Sequence, residues 1–592
     1  MKTSEKISKL RELMTREGID ACYVPSCDAH MGEYVGDHWK CREWITGFTG
    51  SAGMAVITRD DAGLWADGRY FIQAARQIEG SGVRLFKIAE PGFPTCEEWL
   101  AEVLPQGGCL AIDGSVLSAS AMKGFSDALE RKSITIRTDL DPIGAIWEGR
   151  PEIPADPAFL HEDRYAGKSR GDKLAEVRAA MEKRGADYYI LTALDEICWL
   201  YNIRGNDIPC NPYVTSFAVI GRDAAYLFAD SAKVPESVRG ALAESNVTVL
   251  KYAGVYAFVK SIASPASILY DPEKTNVSLV RAIQPSVKKI EAEGLVTPLK
   301  AVKNDVEIAN IRDCYMKDGT AVVRLFKWLK ENVAKGGITE MDVDEKGQEI
   351  RKKLPLFMDL SFNTIAAYGA NAAMMHYAPK PDSQAVLKPS GMFLLDSGCQ
   401  FLNGTTDITR TIALGPVTDE EKKDFTLTLK SVIALSTAKF LYGATGSNLD
   451  VLARMPMWQN GMDYKCGTGH GVGYFSTVHE APQRFAKTPN TAVLEKGMTI
   501  TVEPGVYKEG RHGIRTENTV LVTEDEKTAD GQFMKFETLC FLPIDRNIIV
   551  PAMLTEAERR WINDYHRQVY DKLSVYLDDG EKEWLKAETA EI

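Results

Sequence analysis

Twice in the first half of the chain, apolar positions at helical spacing give way to a strand-like run. Leu10 to Val24 (LRELMTREGIDACYV) and Val177 to Leu191 (VRAAMEKRGADYYIL) each predict an amphipathic helix, a terminating glycine (Gly18, Gly185), an acidic residue and a β-rich segment. A second matched block lies downstream of each. Ala55 to Asp60 (AVITRD) precedes Trp65-Ala66-Asp67, and Ala218 to Asp223 (AVIGRD) precedes Phe228-Ala229-Asp230 at the same offset. Strand, turn and strand would produce this pattern. Two blocks in one order predict a duplicated α/β unit, with residues 1–153 and 154–303 as related domains and the Pro-rich segment Pro151 to Pro157 as linker.

From about residue 304 the pattern changes to long amphipathic helices between paired strands, an α+β arrangement for residues 304–592. Thr418-Asp-Glu-Glu421 and Thr555-Glu-Ala-Glu558 are capping boxes that open two of these helices. Trp561, Tyr565 and Val569 form one apolar stripe, so residues from about 550 to 592 are expected to dock as helices. Packing, rather than partner binding, is the expected use of that stripe.

The length of 592 residues exceeds what one core can support, in keeping with several domains. Hydrophobic residues make up 45% and charged residues 26%, as in ordinary globular proteins, and no run of about 18 uncharged apolar residues offers a membrane span. The helical, charge-interrupted segment Met1 to Met14 does not read as a secretory signal, which predicts a cytoplasmic protein. The 11 cysteines are scattered without a Cys-x-x-Cys pair, as expected for reduced and mostly buried thiols. A net charge of -12 without a basic block argues against nucleic acid or an anionic membrane as partner.

The chemistry concentrates in the last domain, which holds His376, His470, His479 and His512 among clustered acids and glycines. Met392-Phe-Leu-Leu-Asp396-Ser-Gly398 is an apolar strand ending in a carboxylate, followed by a Gly404 turn and Thr405-Thr-Asp407-Ile-Thr-Arg-Thr411. Adjacent strands would hold Asp396 and Asp407 close together. Two surface aspartates would also fit the pattern, and burial separates that reading from a metal site. Gly467-Thr-Gly-His470-Gly-Val-Gly473 surrounds an imidazole with glycines, which suits either an uncrowded ligand or a flexible loop. Glu503 and Glu517 sit in apolar, β-branched runs, Thr499 to Gly505 and Gly513 to Val522, where a lone charge is costly and one Arg515 cannot serve both. Together Asp396, Asp407, His470, Glu503 and Glu517 suffice for two divalent ions sharing a carboxylate, and the oxygen-rich set favours manganese, with cobalt or zinc also compatible.

These motifs, in this order, resemble the pita-bread metallopeptidases and within them the long, three-domain form of aminopeptidase P. The likeness spans nearly the whole chain, because Arg42-Glu-Trp-Ile-Thr-Gly-Phe-Thr-Gly-Ser-Ala-Gly53 and Trp65-Ala-Asp-Gly-Arg-Tyr70 resemble that family's first domain. It implies two related creatinase-like N-terminal α/β domains followed by a pita-bread catalytic domain. The implied activity is removal of the first residue from peptides with proline in second position, by a hydroxide held between two metal ions. The resemblance makes the five residues above the metal ligands, with Asp407 and Glu517 shared between the ions. It also implies that His376 and His479 form an outer pair, the first orienting substrate and the second stabilising the oxyanion, that Glu503 relays a proton, and that the protein is a homodimer. Arg515 resembles a family arginine that orders the carboxylate shell, and a plain salt bridge is its other reading. Where close relatives place a further histidine four residues before the metal-binding one, this chain has Cys466, which puts the proline-side pocket in question. His512 matches no family position and is expected on a solvent-facing turn. A prolidase limited to Xaa-Pro dipeptides, a creatinase-like hydrolase and a non-catalytic pita-bread binding module are the competing readings. The long duplicated half disfavours the first, and retention of the five ligands disfavours the other two.

Overall fold

The computed structural model describes residues 1–592. The chain divides into two units, Met1–Asp163 with Lys168–Val296, and Arg164–Gly167 with Thr297–Ile592.

The first unit contains the duplication. Helix α1 (Thr3–Glu17) buries Ile7, Leu10, Leu13 and Met14 on one face and stops at Gly18, whose φ of 68° is the left-handed conformation that a Cβ disfavours. It leads into β1 (Ala21–Pro25), which joins β2 (Met54–Thr58), β3 (Ala62–Ala66), β4 (Arg84–Lys87), β5 (Cys109–Ile112) and β6 (Thr135–Arg137) in a sheet of order β4-β3-β2-β1-β5-β6. Helix α2 (Arg170–Arg184) repeats the first step, burying Leu174, Val177 and Met181 and ending at Gly185 with φ 68°. Strands β7 (Tyr188–Leu191), β8 (Phe217–Gly221), β9 (Ala225–Phe228), β10 (Val247–Leu250), β11 (Ser267–Tyr270) and β12 (Lys288–Glu291) follow in the order β10-β9-β8-β7-β11-β12. The two sheets have one topology, since β1 pairs antiparallel with β2 and parallel with β5, as β7 does with β8 and β11.

The second unit is built on α3 (Asp305–Asn332), a 28-residue helix capped by Asn304 and Glu307. After α4 (Glu340–Arg351), a three-stranded sheet sets β14 (Met392–Ser397) between β13 (Ile365–Tyr368) and β15 (Ile408–Ala413). Helices α5 (Asp419–Ser436) and α6 (Gly446–Trp458) come next. The six-stranded sheet has the order β16-β23-β22-β19-β17-β18, formed by β16 (Phe440–Leu441), β17 (Gly469–Gly471), β18 (Glu480–Phe485), β19 (Thr499–Val502), β22 (Asn518–Thr528) and β23 (Gly531–Thr538). A separate ribbon pairs β20 (Gly505–Lys508) with β21 (His512–Arg515). Both expected capping boxes form, at Thr418 and Thr555. Helix α7 (Glu556–Leu573) lays Tyr565, Val569 and Leu573 into the same core as Val322 and Phe326 of α3 and Phe393 of β14, with Trp561 packed at its edge. The C-terminal region therefore shares the core that backs the carboxylate-bearing strands. No helix is long and apolar enough to cross a membrane.

Candidate metal centre

Strand pairing brings the first two carboxylates together. Asp396 lies opposite Thr409 in the antiparallel β14–β15 ladder, and Asp407 immediately precedes β15, two residues before Thr409. Both are buried, at 7% and 4% exposure, which removes the surface-aspartate reading. Glu517 is buried as well, at 1%, and enters between β21 and β22, where its backbone N–H donates to Thr409 O at 3.1 Å. Thr409 Oγ1 donates to Glu517 Oε2 at 2.8 Å, so one threonine fixes the third carboxylate against the first two.

His470 is the middle residue of β17. A Cβ at Gly469 would come within 1.8 Å of Thr501 O, and one at Gly471 within 2.4 Å of Glu480 O. The flanking glycines thus let β17 lie tightly between β19 and β18. His470 Nδ1 is 3.0 Å from both Gly471 O and Val478 O, so a proton on that nitrogen is held by carbonyls and Nε2 faces the acids. From Nε2 the distance is 3.2 Å to Glu503 Oε1 and 3.6 Å to Asp407 Oδ2. Glu503, just past β19, also accepts from Thr501 Oγ1 at 3.0 Å. Ligand atoms of Asp407, His470 and Glu517 all lie within 4.8 Å of one another.

The electrostatics are those of crowded acids. Burial, then the neighbouring Glu517 and Asp396, pushes Asp407 well above the usual carboxylate range. Burial, then Glu503 and Asp396, does the same to Glu517. Burial also raises Asp396, against the pull of Arg515. Glu503 differs: burial would raise it, but its hydrogen bond and charge pairing with His470 bring it down to about 2. The imidazole answers in kind, since burial lowers it but Glu503 raises it to about 9. Four carboxylates face one guanidinium and one imidazole, and Asp396 Oδ1 is buried without a hydrogen-bond partner. A hard cation satisfies both conditions, so the donor set fits divalent metal.

The remaining expected residues surround this cluster. Arg515, buried in β21, donates to Asp396 Oδ2 through Nε at 3.2 Å and Nη2 at 2.5 Å, to Tyr507 OH at 2.7 Å and to Met375 O at 3.2 Å. The His479 ring meets the His470 ring edge-on, with centroids 4.4 Å apart. His376 lies partly exposed on the segment between β13 and β14, one residue from the carbonyl that Arg515 holds. Cys466 packs beside Tyr464, Val506 and Tyr507, the last being Arg515's hydroxyl partner. His512 is not on a solvent-facing turn. It is 4% exposed in β21, with Nε2 2.8 Å from Asp424 Oδ2, because its partner comes from α5 rather than from the polar sequence around it.

Several supporting residues had escaped the sequence reading. Asp318 of α3 and Arg351 of α4 form a buried ion pair at 2.8 Å. Asp318 accepts from Thr406 Oγ1 at 2.7 Å and Arg351 donates to Ser397 Oγ at 3.0 Å, so the pair grips the residue before Asp407 and the one after Asp396. Arg410, 1% exposed, donates to the Glu517 carbonyl, to Leu542 O, to Asn518 Oδ1 at 2.8 Å and to Tyr565 OH at 2.6 Å. The available signal was a charge at a core-facing position: Asp318 follows Ile311, Cys314 and Tyr315 on the buried stripe of α3.

Comparison with known proteins places this geometry. Residues 309–524 match the model of metallopeptidase family M24, residues 532–592 match its C-terminal region, and residues 6–143 and 149–307 each match the creatinase/prolidase N-terminal domain. A probable Xaa-Pro aminopeptidase P of Aspergillus flavus is 38% identical over 100% of this chain and 93% of its own length. The chain belongs to metallopeptidase family M24. Its two N-terminal α/β domains are the creatinase type and its catalytic domain has the pita-bread fold, as the resemblance implied. Among solved structures, the X-prolyl aminopeptidase of Caenorhabditis elegans, described as a cytosolic enzyme with a di-nuclear active site, superposes with TM-score 0.96 at 31% identity, covering 100% of both chains. A Xaa-Pro dipeptidase from Bacillus anthracis shares only the fold, with TM-score 0.51 and 24% identity, over 64% of this chain and 99% of its own.

Proposed function

We propose that the chain is a metal-dependent aminopeptidase that hydrolyses the bond between the first residue of a peptide and a proline in second position. The observation that carries this is a buried cluster in which ligand atoms of Asp407, His470 and Glu517 lie within 4.8 Å of one another, Glu503 pairs with His470 and Asp396 Oδ1 has no partner, in a chain similar over its full length to Xaa-Pro aminopeptidases. These five residues would hold two divalent ions, and the family resemblance makes Asp407 and Glu517 the shared ligands. Manganese suits the oxygen-rich set best, and cobalt or zinc is compatible. When bound, the ions supply Lewis acidity at the scissile carbonyl and acidify water at neutral pH.

The chain's own groups divide the remaining work by exposure. Glu503 is the most exposed carboxylate of the set, the others being buried, so it is the one best placed to take a proton from water and return it to the leaving nitrogen. That return is needed because proline leaves as a secondary amine whose nitrogen carries no proton in the peptide. His479, partly exposed beside His470, is placed to donate to the developing oxyanion, and His376 to orient the substrate backbone. Arg515 holds Asp396 in position.

A homodimer and a cytoplasmic location complete this reading. Val451, Met455 and Trp458 lie 44%, 45% and 47% exposed at i, i+4 and i+7 on one face of α6, an apolar surface that a second copy would cover. Sedimentation of Met455→Lys against the parent tests that surface, and an unchanged dimer rejects it. The activity is tested by release of the first residue from Xaa-Pro-Xaa and Xaa-Ala-Xaa peptides with manganese and with chelator. Equal rates on the two peptides reject the proline specificity. Cleavage confined to Xaa-Pro dipeptides replaces this reading with a prolidase.

A further inference from the structure

Glu340, the first residue of α4, is a carboxylate with 0% exposure and no cationic partner. It is not needed to cap its helix, because Thr339 and Asp342 form the capping box. Instead it accepts from four neutral donors. Tyr368 N donates to Oε1 at 2.6 Å, Asn371 Nδ2 lies 3.1 Å from both oxygens, and Tyr377 OH and Ala385 N each donate to Oε2 at 2.7 Å. All four belong to the stretch from Tyr368 to Ala385, and they fall on both sides of His376. Apart from one turn of 3-10 helix at Gly369–Ala373, this stretch has no regular structure, so its shape depends on what it is tied to.

The opposite side of the stretch is tied to the metal centre. Arg515 donates to Met375 O, and Ala372 O sits so close to Gly513 of β21 that a Cβ there would be 1.7 Å away. Met375 and Tyr377 are buried while His376 between them is partly exposed. The histidine is therefore pinned through its two neighbours, by Arg515 before it and by Glu340 after it.

We propose that Glu340 is a positioning residue that sets where His376 meets the substrate. The inference rests on the aminopeptidase reading for the role of His376, but the tether itself does not. Charge and acceptor capacity explain why a glutamate is required. A carboxylate has lone pairs enough for all four donors, whereas the glutamine isostere has one acceptor oxygen and turns an NH2 towards another donor. Glu340→Gln keeps the volume and breaks the tether, and Tyr377→Phe removes one donor next to His376.

The test is hydrogen–deuterium exchange of the metal-loaded, full-length protein, with metal stoichiometry and steady-state kinetics on a Xaa-Pro-Xaa peptide alongside. Glu340→Gln is expected to speed exchange of residues 369–385 by about tenfold or more while β14 and β15 keep their protection and metal content. KM should rise and kcat fall together, with Tyr377→Phe showing a smaller change in the same sense. Unchanged exchange in 369–385 overturns the proposal, and so does a rise spread evenly over the unit with loss of metal, which would mark a general structural role. If Glu340→Gln does not fold, Tyr377→Phe decides by the same exchange criterion. Should the parent show no Xaa-Pro activity, the functional reading fails while the exchange result still judges the tether.

Discussion

Arg515 spends both Nε and Nη2 on a single oxygen of Asp396, at 3.2 and 2.5 Å, and leaves the other oxygen buried and bare. The guanidinium thereby orients the carboxylate without competing for the atom that a cation would use. Arg515→Lys keeps the charge but loses the fork. We expect it to weaken divalent-metal affinity by roughly 10- to 100-fold, the usual cost of losing a group that orients a ligand, measured by titration calorimetry on chelated protein. Unaltered affinity would mean the pair is only a salt bridge.

Removing the metal should cost stability as well as activity. Burial, then Glu517 and Asp396, pushes Asp407 well above the ordinary carboxylate range, and burial, then Glu503 and Asp396, does the same to Glu517, so the stripped cluster must either take up protons or bear its repulsion. Re-adding manganese at a hundredfold excess over its dissociation constant should stabilise the folded protein by about 2.7 kcal/mol through linkage, seen as a rise in melting temperature in scanning calorimetry. Asp407→Ala should lose both that rise and peptide hydrolysis.

The Asp318–Arg351 pair should be far more costly to break than to replace. Asp318→Asn leaves a buried guanidinium without its counter-charge, for an expected loss of about 3 to 5 kcal/mol in urea denaturation. Adding Arg351→Met should recover part of that loss. Because Thr406 and Ser397 also hang on this pair, the single variant should lower metal affinity too.

His566 gives the fold a pH dependence of its own. It is fully buried in α7, its Nε2 accepts from Ile544 N–H at 3.1 Å, and burial brings its pKa down to about 4. Unfolded, the imidazole would titrate near its ordinary value of about 6.5. Between those values the unfolded chain binds a proton that the folded one refuses, so stability is intact above about 6.5 and falls as pH drops towards about 4, by on the order of 3 kcal/mol. Melting temperatures across that range should fall more steeply for the parent than for His566→Gln, and parallel curves would contradict the assignment.

What could be read from the sequence were features with a local signature. Asp396 and Asp407 stood out as charges at strand ends, Glu503 and Glu517 as charges inside β-branched runs, and His470 by its glycines, whose close approach to Thr501 and Glu480 the structure displays. The duplicated half was legible for the same reason: helix period, glycine stop and strand recur in order. Residues that act through distant partners were not legible. Asp424 lies 88 positions from His512, Ser397 46 from Arg351, and Ala385 45 from Glu340, so neither periodicity nor motif connects them. His512 matches no family position and was expected on a solvent-facing turn, whereas pairing with Lys508 and the approach of Asp424 hold it inside.

The guanidinium of Arg410 ties the Glu517 carbonyl to the hydroxyl of Tyr565, which lies 155 positions after Arg410. The rear of the carboxylate cluster is thus finished by a helix that leaves the ribosome late. The two creatinase-type domains precede the catalytic domain in the chain, and Arg410 has no Tyr565 partner until α7 is made. The support behind the carboxylate cluster is accordingly complete only once α7 has been translated.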